Sequence, residues 1–422
     1  MDASQVAHDN KDAKDGQSID DDVLMEIVSR LPPKPQTRFK SVSKTWHSLV
    51  SSIILHSKPK SPLSGLFIQM KASFRRPGST HYLPIRDDDD ETYTDPTFSF
   101  LPSHPPKCIV DSRDGFILLS SSPTNSRQNE YFLCNPVTRQ WLSLPLPPIR
   151  VCRNSAGSLR VHVALVFDDP TYLSSREFKV IRFCSGPVID MVTSAGGEDE
   201  DYNPLPHRGV DLCVDIYSSK TGQWAQSKAS VKNRPTFYLL DWPPVLFDGA
   251  IYLSAAPQQV LRFDIEEESS QFLFLPNELR WSRFMEHLCG DFKHPMSCLG
   301  LCEGCLCYAY HNCSDMQVWV FDDGRSGDWV LKHHVDLRIF GFLDRPLVHS
   351  GNFKDHLKIP FDILAFHPSL DAVFIRKPDG FHWYDFQKGE LETIKLSSLW
   401  ASDQKNFLLV YPFLESYISL RL

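Results

Sequence analysis

A chain of 422 residues has room for a small unit plus a large one, or for three units of ordinary size, with a sizeable core. A net charge of −8 and a pI near 6.0 speak against the basic face of a phosphate-tracking protein, and no Lys/Arg cluster offsets that balance, so nucleic acid is not an expected partner. No uninterrupted apolar run approaches the roughly 18–20 residues that cross a bilayer, so a soluble chain without a membrane partner is expected.

Residues 1–17, MDASQVAHDNKDAKDGQ, are polar and mixed in charge, with neither the apolar stretch of a signal peptide nor the Arg-rich pattern of a transit peptide. They read as a disordered tail. The eleven cysteines, odd in number and mostly inside apolar strand-like stretches, point to reduced thiols and hence to the cytoplasm, the nucleus or both.

A helical module follows over 18–57. Ser18 and Asp21 stand in capping-box spacing, and Asp20, Asp21 and Asp22 place negative charge where the exposed amides of a helix start favour it. Val23, Leu24, Ile27, Val28 and Leu31 recur at helical spacing, and Glu26 and Arg30 form an i, i+4 pair on another side. Pro32 ends the helix, because its ring excludes the helical region for the residue before it. QTRFKSV makes about two further turns. Ser43 caps a third helix whose Trp46, Leu49, Val50 and Ile53 share one face. Three short helices bury little surface, so the module gains by docking its apolar residues on a partner, or else packs as a subdomain against the rest of the chain.

The tract VLMEIVSRLPPKPQTRFKSVSKTWHSLVSS resembles the F-box, especially of plants, in its S-R-L-P helix end, its R-F-K-x-V-S-K-x-W segment and its closing L-V-S-S. It departs from that pattern at Ile19-Asp20, where Leu-Pro is usual, at Gln36-Thr37, where a leucine pair is usual, and at Ser41, often Cys. At about 25 cal/mol per Å² of apolar surface, two missing leucines remove several kcal/mol of docking energy. The resemblance implies that the module holds a Skp-type adaptor and through it a cullin, with Leu24, Ile27, Leu31, Pro32, Val42 and Trp46 as the adaptor-binding residues.

From residue 63 the texture changes to short β-rich runs bounded by Gly, Pro, Asn and Asp. DGFILLSS…NEYFLCNPVTRQWLSLP reads strand, strand, polar turn, strand, and the order recurs in DGAIYLSA…QVLRFDIEEESSQFLFLP, EGCLCYAY…MQVWVFDDGRSGDWVLKHH and DAVFIRKPDGFHWYDFQKGELETIKL. A fifth copy joins FKVIRF to DIYSSKTGQWAQS. The copies carry the large apolar anchors Trp141, Phe272, Trp329, Leu391 and Trp224. Propeller blades of four strands run to roughly 40–50 residues, and no single blade buries both its faces.

These copies resemble the F-box-associated, kelch-like domain, most recognisably in NPVTRQWLSLP, and the resemblance extends over 60–422. The fold expected is therefore α plus all-β and multidomain: a small three-helix F-box followed by a β-propeller of about six blades. Ring closure would pair GLFIQM (65–70) with NFLLVYPF or ESYISL, because closure removes aggregation-prone edges. Residues 71–107, with RDDDDE, and 185–210, with GGEDED, interrupt the pattern and read as solvated loops, although recognition often lives on such loops.

The stretch CLGLCEGCLCYAYHNC (298–313) raises zinc through Cys302 and Cys305. Strand alternation explains it more simply, with Cys298 and Cys302 on one face of a strand, Glu303-Gly304 as a turn, and Cys305 and Cys307 on one face of the next, all as free thiols. No second C-x-x-C or H-x-x-x-H completes a tetrad, and no nucleophile elbow, zincin helix or phosphate loop is present. No catalytic residue, metal ligand or cofactor site is assigned. The sequence thus reads as a non-catalytic substrate receptor of a ubiquitin ligase, its propeller recruiting a target protein; a propeller scaffold without ligase activity and a propeller enzyme are the alternatives.

Overall fold

The computed structural model describes residues 23, 26–28, 39, 42, 46, 63–70, 79–85, 94–102, 108–121, 129–149, 160–168, 177–189, 208–229, 231–235, 238–256, 259–276, 297–311, 315–322, 327–340, 362–377, 379–394, 408–416, 418 and 420. The chain divides into two units, Met1–Pro59 and Lys60–Leu422.

The second unit is built from antiparallel sheets. β1 (Gly65–Met70) and β2 (Ser79–Pro84) come first. The next sheet holds β3 (Cys108–Arg113), β4 (Phe116–Ser120), β5 (Tyr131–Asn135) and β6 (Gln140–Ser143). Then come β7 (Arg160–Phe167), β8 (Phe178–Ile189), β9 (Arg208–Ser218) and β10 (Gln223–Gln226), with β11 (Val231–Pro235) added to β9. β12 (Tyr238–Leu239) and β13 (Val245–Phe247) both pair with β14 (Ala250–Ala256), followed by β15 (Gln259–Asp264) and β16 (Ser269–Phe274). β17 (Ser297–Cys302), β18 (Cys305–His311), β19 (Asp315–Asp322) and β20 (Asp328–Asp336) form the next sheet. β21 (Asp362–Phe366), β22 (Ala372–Lys377), β23 (Gly380–Asp385) and β24 (Glu390–Thr393) form another. β25 (Leu408–Phe413) pairs with β1 from Leu408 opposite Met70 to Phe413 opposite Gly65, which completes a sixth sheet, β2-β1-β25.

The inner strands touch in succession, β3 to β7, β13, β17, β21, β25 and back to β3, so the six sheets are the blades of a closed propeller. Six apolar clusters fill the six seams. For example, Val110 and Val163 meet between the first two blades, Cys298 and Ile363 between the fourth and fifth, and Phe67, Ile117 and Phe413 where the sixth meets the first. Closure runs through NFLLVYPF rather than ESYISL. Asn135 Nδ2 instead donates to Ser416 O (2.8 Å) and Ile418 O (2.9 Å), which holds that tail against the first blade.

Local chemistry explains the repeat. Between inner and second strands lie two-residue turns, Asp114-Gly115, Asp248-Gly249 and Glu303-Gly304, in which both residues have φ between 43° and 80°, the geometry that hairpins with right-handed twist require. Between third and fourth strands, Asn135, Asp264 and Asp385 each accept two backbone amides with a side-chain oxygen. Those turns end on a left-handed residue: Arg139, Glu268 and Gly389.

Three expectations are corrected. Residues 71–107 do not form one solvated loop: 79–84 is a strand, and 94–102 sends Phe98 and Leu101 into the seam between the sixth and first blades. Within 185–210, the ends belong to β8 and β9, which pair out to Ile189 opposite Arg208. Cys305, expected among core strands with the other three, is exposed beside the Glu303-Gly304 turn of its hairpin, while Cys298, Cys302 and Cys307 are buried.

Candidate functional site

In the first unit, Val23, Glu26, Ile27, Val28, Phe39 and Trp46 are helical. Val23 and Ile27, one helical turn apart, are each 50% exposed, whereas Val28 turns inward at 1%. Val42 is 60% exposed, and its amide donates to Phe39 O at 3.1 Å. Trp46 is half-buried, its ring stacked on Phe39 with centroids 5.2 Å apart. Ile27 and Val42 thus offer apolar surface to solvent, while Trp46 braces the module from within. Leu24, Leu31 and Pro32, and the remainder of the three-helix expectation, lie outside the described residues.

On the propeller, polar groups bridge elements far apart in sequence. Arg182 on β8 and Asp215 on β9, directly opposed, form a salt bridge at 2.7 Å with both side chains buried. The same guanidinium donates to Pro148 O (2.5 Å) and lies 5.7 Å from the Trp224 ring, and Trp224 Nε1 donates to Pro145 O at 2.8 Å. The segment 144–149 is thereby held on the second blade with Leu146 and Ile149 exposed; Trp141 on β6 is exposed as well. The anchor tryptophans therefore serve a surface as well as a core.

A second network joins the fourth and fifth blades. Lys332 Nζ lies 2.9 Å from Asp371 and 3.2 Å from Glu303, and His333 Nε2 lies 3.0 Å from Asp371 with its ring stacked flat on Phe386. Burial opposes ionisation of Asp371, but Lys332 and His333 outweigh it and hold the carboxyl below its ordinary range. His367 Nδ1 accepts the amides of Ser369 and Leu370, and burial lowers its pKa to about 4, so the ring is a neutral acceptor that shapes the bend beside Asp371. Leu331 and Leu370 stand exposed on these same two blades. Sequence reading missed both networks, because their partners are brought together only by blade pairing and packing and share no local pattern.

Among the described residues, no group of three or more His, Cys, Asp or Glu is placed to hold a metal ion, and no helix is long and apolar enough to cross a membrane. Exposed apolar side chains beside rigid polar networks suit binding, since water is displaced from the former while the latter fix orientation.

Comparison with known proteins gives two matches to family models: the F-box domain over residues 17–58, and the β-propeller of F-box protein At3g26010-like chains over 97–350. The chain is 26% identical to F-box protein At5g07610 of Arabidopsis thaliana, an alignment spanning 82% of this chain and 77% of that one. It is 24% identical to F-box protein At3g07870 of the same plant, over 72% and 69% of the two chains. It is also 29% identical to a chain named for an F-box and kelch repeats, At1g15680, over 95% and 88%.

Proposed function

Since the chain belongs to the family of F-box proteins with an At3g26010-like β-propeller, we propose that it is the substrate receptor of a Skp-cullin-F-box ubiquitin ligase. F-box proteins of this kind are in general adaptors rather than catalysts. In this reading the module of 18–57 docks a Skp-type adaptor through Leu24, Ile27, Leu31, Pro32, Val42 and Trp46, and the propeller holds a target protein. The ligase works in the cytoplasm, the nucleus or both. The chain then contributes proximity: a lysine of the held target meets the charged conjugating enzyme at a high effective concentration instead of by free encounter.

The observation that carries the reading is an F-box match whose apolar residues Val23, Ile27 and Val42 are open to solvent, joined in one chain to a six-bladed propeller. The test is adaptor binding by the full chain. Ile27→Glu should abolish capture of a Skp-type adaptor while circular dichroism stays unchanged. Gln36→Leu with Thr37→Leu, which restores the pair usual in the family, should tighten capture. If neither the wild type nor the restored chain binds adaptor, the ligase reading falls and the non-ligase scaffold takes its place.

A further inference from the structure

The β17–β18 hairpin carries the run C-E-G-C-L-C from Cys302 to Cys307. Its turn is only Glu303 and Gly304, with φ of 50° and 78°, so Cys302 and Cys305 close the hairpin as directly opposed partners. Opposed residues of an antiparallel ladder share one face with Cα atoms about 4.5–5.5 Å apart. That lies inside the ~4.4–6.8 Å over which a disulfide forms. Cys307 shares the face by alternation but sits diagonally from Cys302, where separations run to about 7–8 Å.

Access divides the three thiols. Cys305 is exposed, whereas Cys302 and Cys307 keep only 1% and 0% of their surface. A soluble oxidant therefore meets Cys305 first, with Cys302 directly opposite it. Cys302 Sγ donates to Leu370 O (3.4 Å) and Asp371 Oδ1 (3.6 Å) at the junction of the fourth and fifth blades. Its thiol lies below the ordinary range, chiefly through the hydrogen bond from Cys307 and with help from the Lys332 charge, against burial and Asp371.

We propose that Cys305 and Cys302 are a peroxide-responsive thiol pair that closes reversibly into a disulfide across the β17–β18 turn. The Cys305 thiolate attacks one oxygen of hydrogen peroxide. An S–O bond forms as the O–O bond breaks, leaving a sulfenic acid and hydroxide. The Cys302 thiolate then attacks the Cys305 sulfur and expels the sulfenic oxygen as a second hydroxide, and the two hydroxides take up the two thiol protons as water. Two electrons pass from the thiols to the peroxide, and exchange with a small thiol such as glutathione reverses the step. Disulfide formation removes the Cys302 donor from Leu370 and Asp371, and so releases a tie between the surfaces that carry Leu331 and Leu370.

The test treats the full-length chain with hydrogen peroxide, unfolds it in denaturant, blocks remaining thiols with a maleimide and maps peptides after cleavage by a glutamate-specific protease, which cuts between Glu303 and Gly304. The expected result is a Cys302–Cys305 cross-link, near-complete loss of Cys305 labelling, and recovery of that labelling with dithiothreitol. In Cys302→Ser, Cys305 should stop at a sulfenic acid that dimedone traps. In Cys305→Ser, a change at an exposed site, Cys302 should keep its labelling after peroxide. A Cys305 that labels fully after peroxide, or a Cys302–Cys307 cross-link in place of the expected one, overturns the proposal.

Discussion

Deleting residues 408–422 should unfold the propeller, because that segment carries the closure of the ring. β25 pairs with β1 along its whole length, and its Leu408, Leu409, Val410, Tyr411 and Phe413 are all buried. Burial of a large apolar side chain contributes about 1.5–3 kcal/mol, so the five together contribute roughly 7–15 kcal/mol. A whole domain is stable by only ~5–15 kcal/mol. These side chains also divide between two seams, Leu409, Tyr411 and Phe413 toward the first blade and Leu408 and Val410 toward the fifth, so their loss opens the sixth blade on both sides. A graded variant keeps the fold in reach. Phe413→Ala removes one fully buried ring that lies 5.1 Å from Phe67 and 6.2 Å from Tyr82. Such a truncation costs about 3–5 kcal/mol. At ~2 °C per kcal/mol for a large domain, that is a drop of roughly 6–10 °C in melting temperature. Thermal melts followed by circular dichroism measure both. A truncated chain that melts cooperatively at the full-length temperature would refute the closure argument.

Three further outcomes are expected. Arg182→Met should cost about 3–5 kcal/mol in chemical denaturation, since it strips a buried carboxylate of its guanidinium, and Arg182→Lys should recover only part of this because the contacts to Pro148 and Trp224 need the planar fork; a cost within error of zero would sink the reasoning. Gly115→Ala puts a Cβ into left-handed backbone and 2.1 Å from Ser416 Cβ, so it should destabilise the full chain more than a chain ending at Leu414; equal losses would mean that the tail does not rest on this turn. Finally, His367, whose pKa is lowered to about 4 against 6.5 for an ordinary histidine, stays neutral when folded but takes up a proton when unfolded across that interval. Its contribution is complete above pH 6.5 and is lost as pH falls toward 4; His367→Gln should flatten stability over that window, and an unchanged slope between pH 6.5 and 4 would argue against the assignment.

How far the sequence carries is clearest in particular elements. The three outer strands of five blades were legible in alternation and turn chemistry, as was GLFIQM as the strand that β25 joins. The innermost strands were harder to read. RVHVALVF and DILAF are buried on both faces, where period two gives way to a nearly continuous apolar run that carries no count of blades. The strand β2 was hidden for a different reason: STHYLP is polar because it lies outside β1, where one face meets solvent.

The candidate sites divide in the same way. Ile27 and Val42 were legible through the F-box pattern, and Cys302 and Cys305 through their spacing, yet exposure of one cysteine and burial of its partner is a property of the hairpin's position in the ring. By itself the sequence determined the strands, the turns and the membership of the front module, because backbone preference and hydrogen bonding within a turn act over a few residues. Only the tertiary structure decided that Asn135 would hold Ser416, that Lys332 would face Asp371 and that β25 would close on β1. Those contacts join positions tens to hundreds of residues apart, and they form where blade faces of similar composition are brought together by the ring, a selection that no local pattern records.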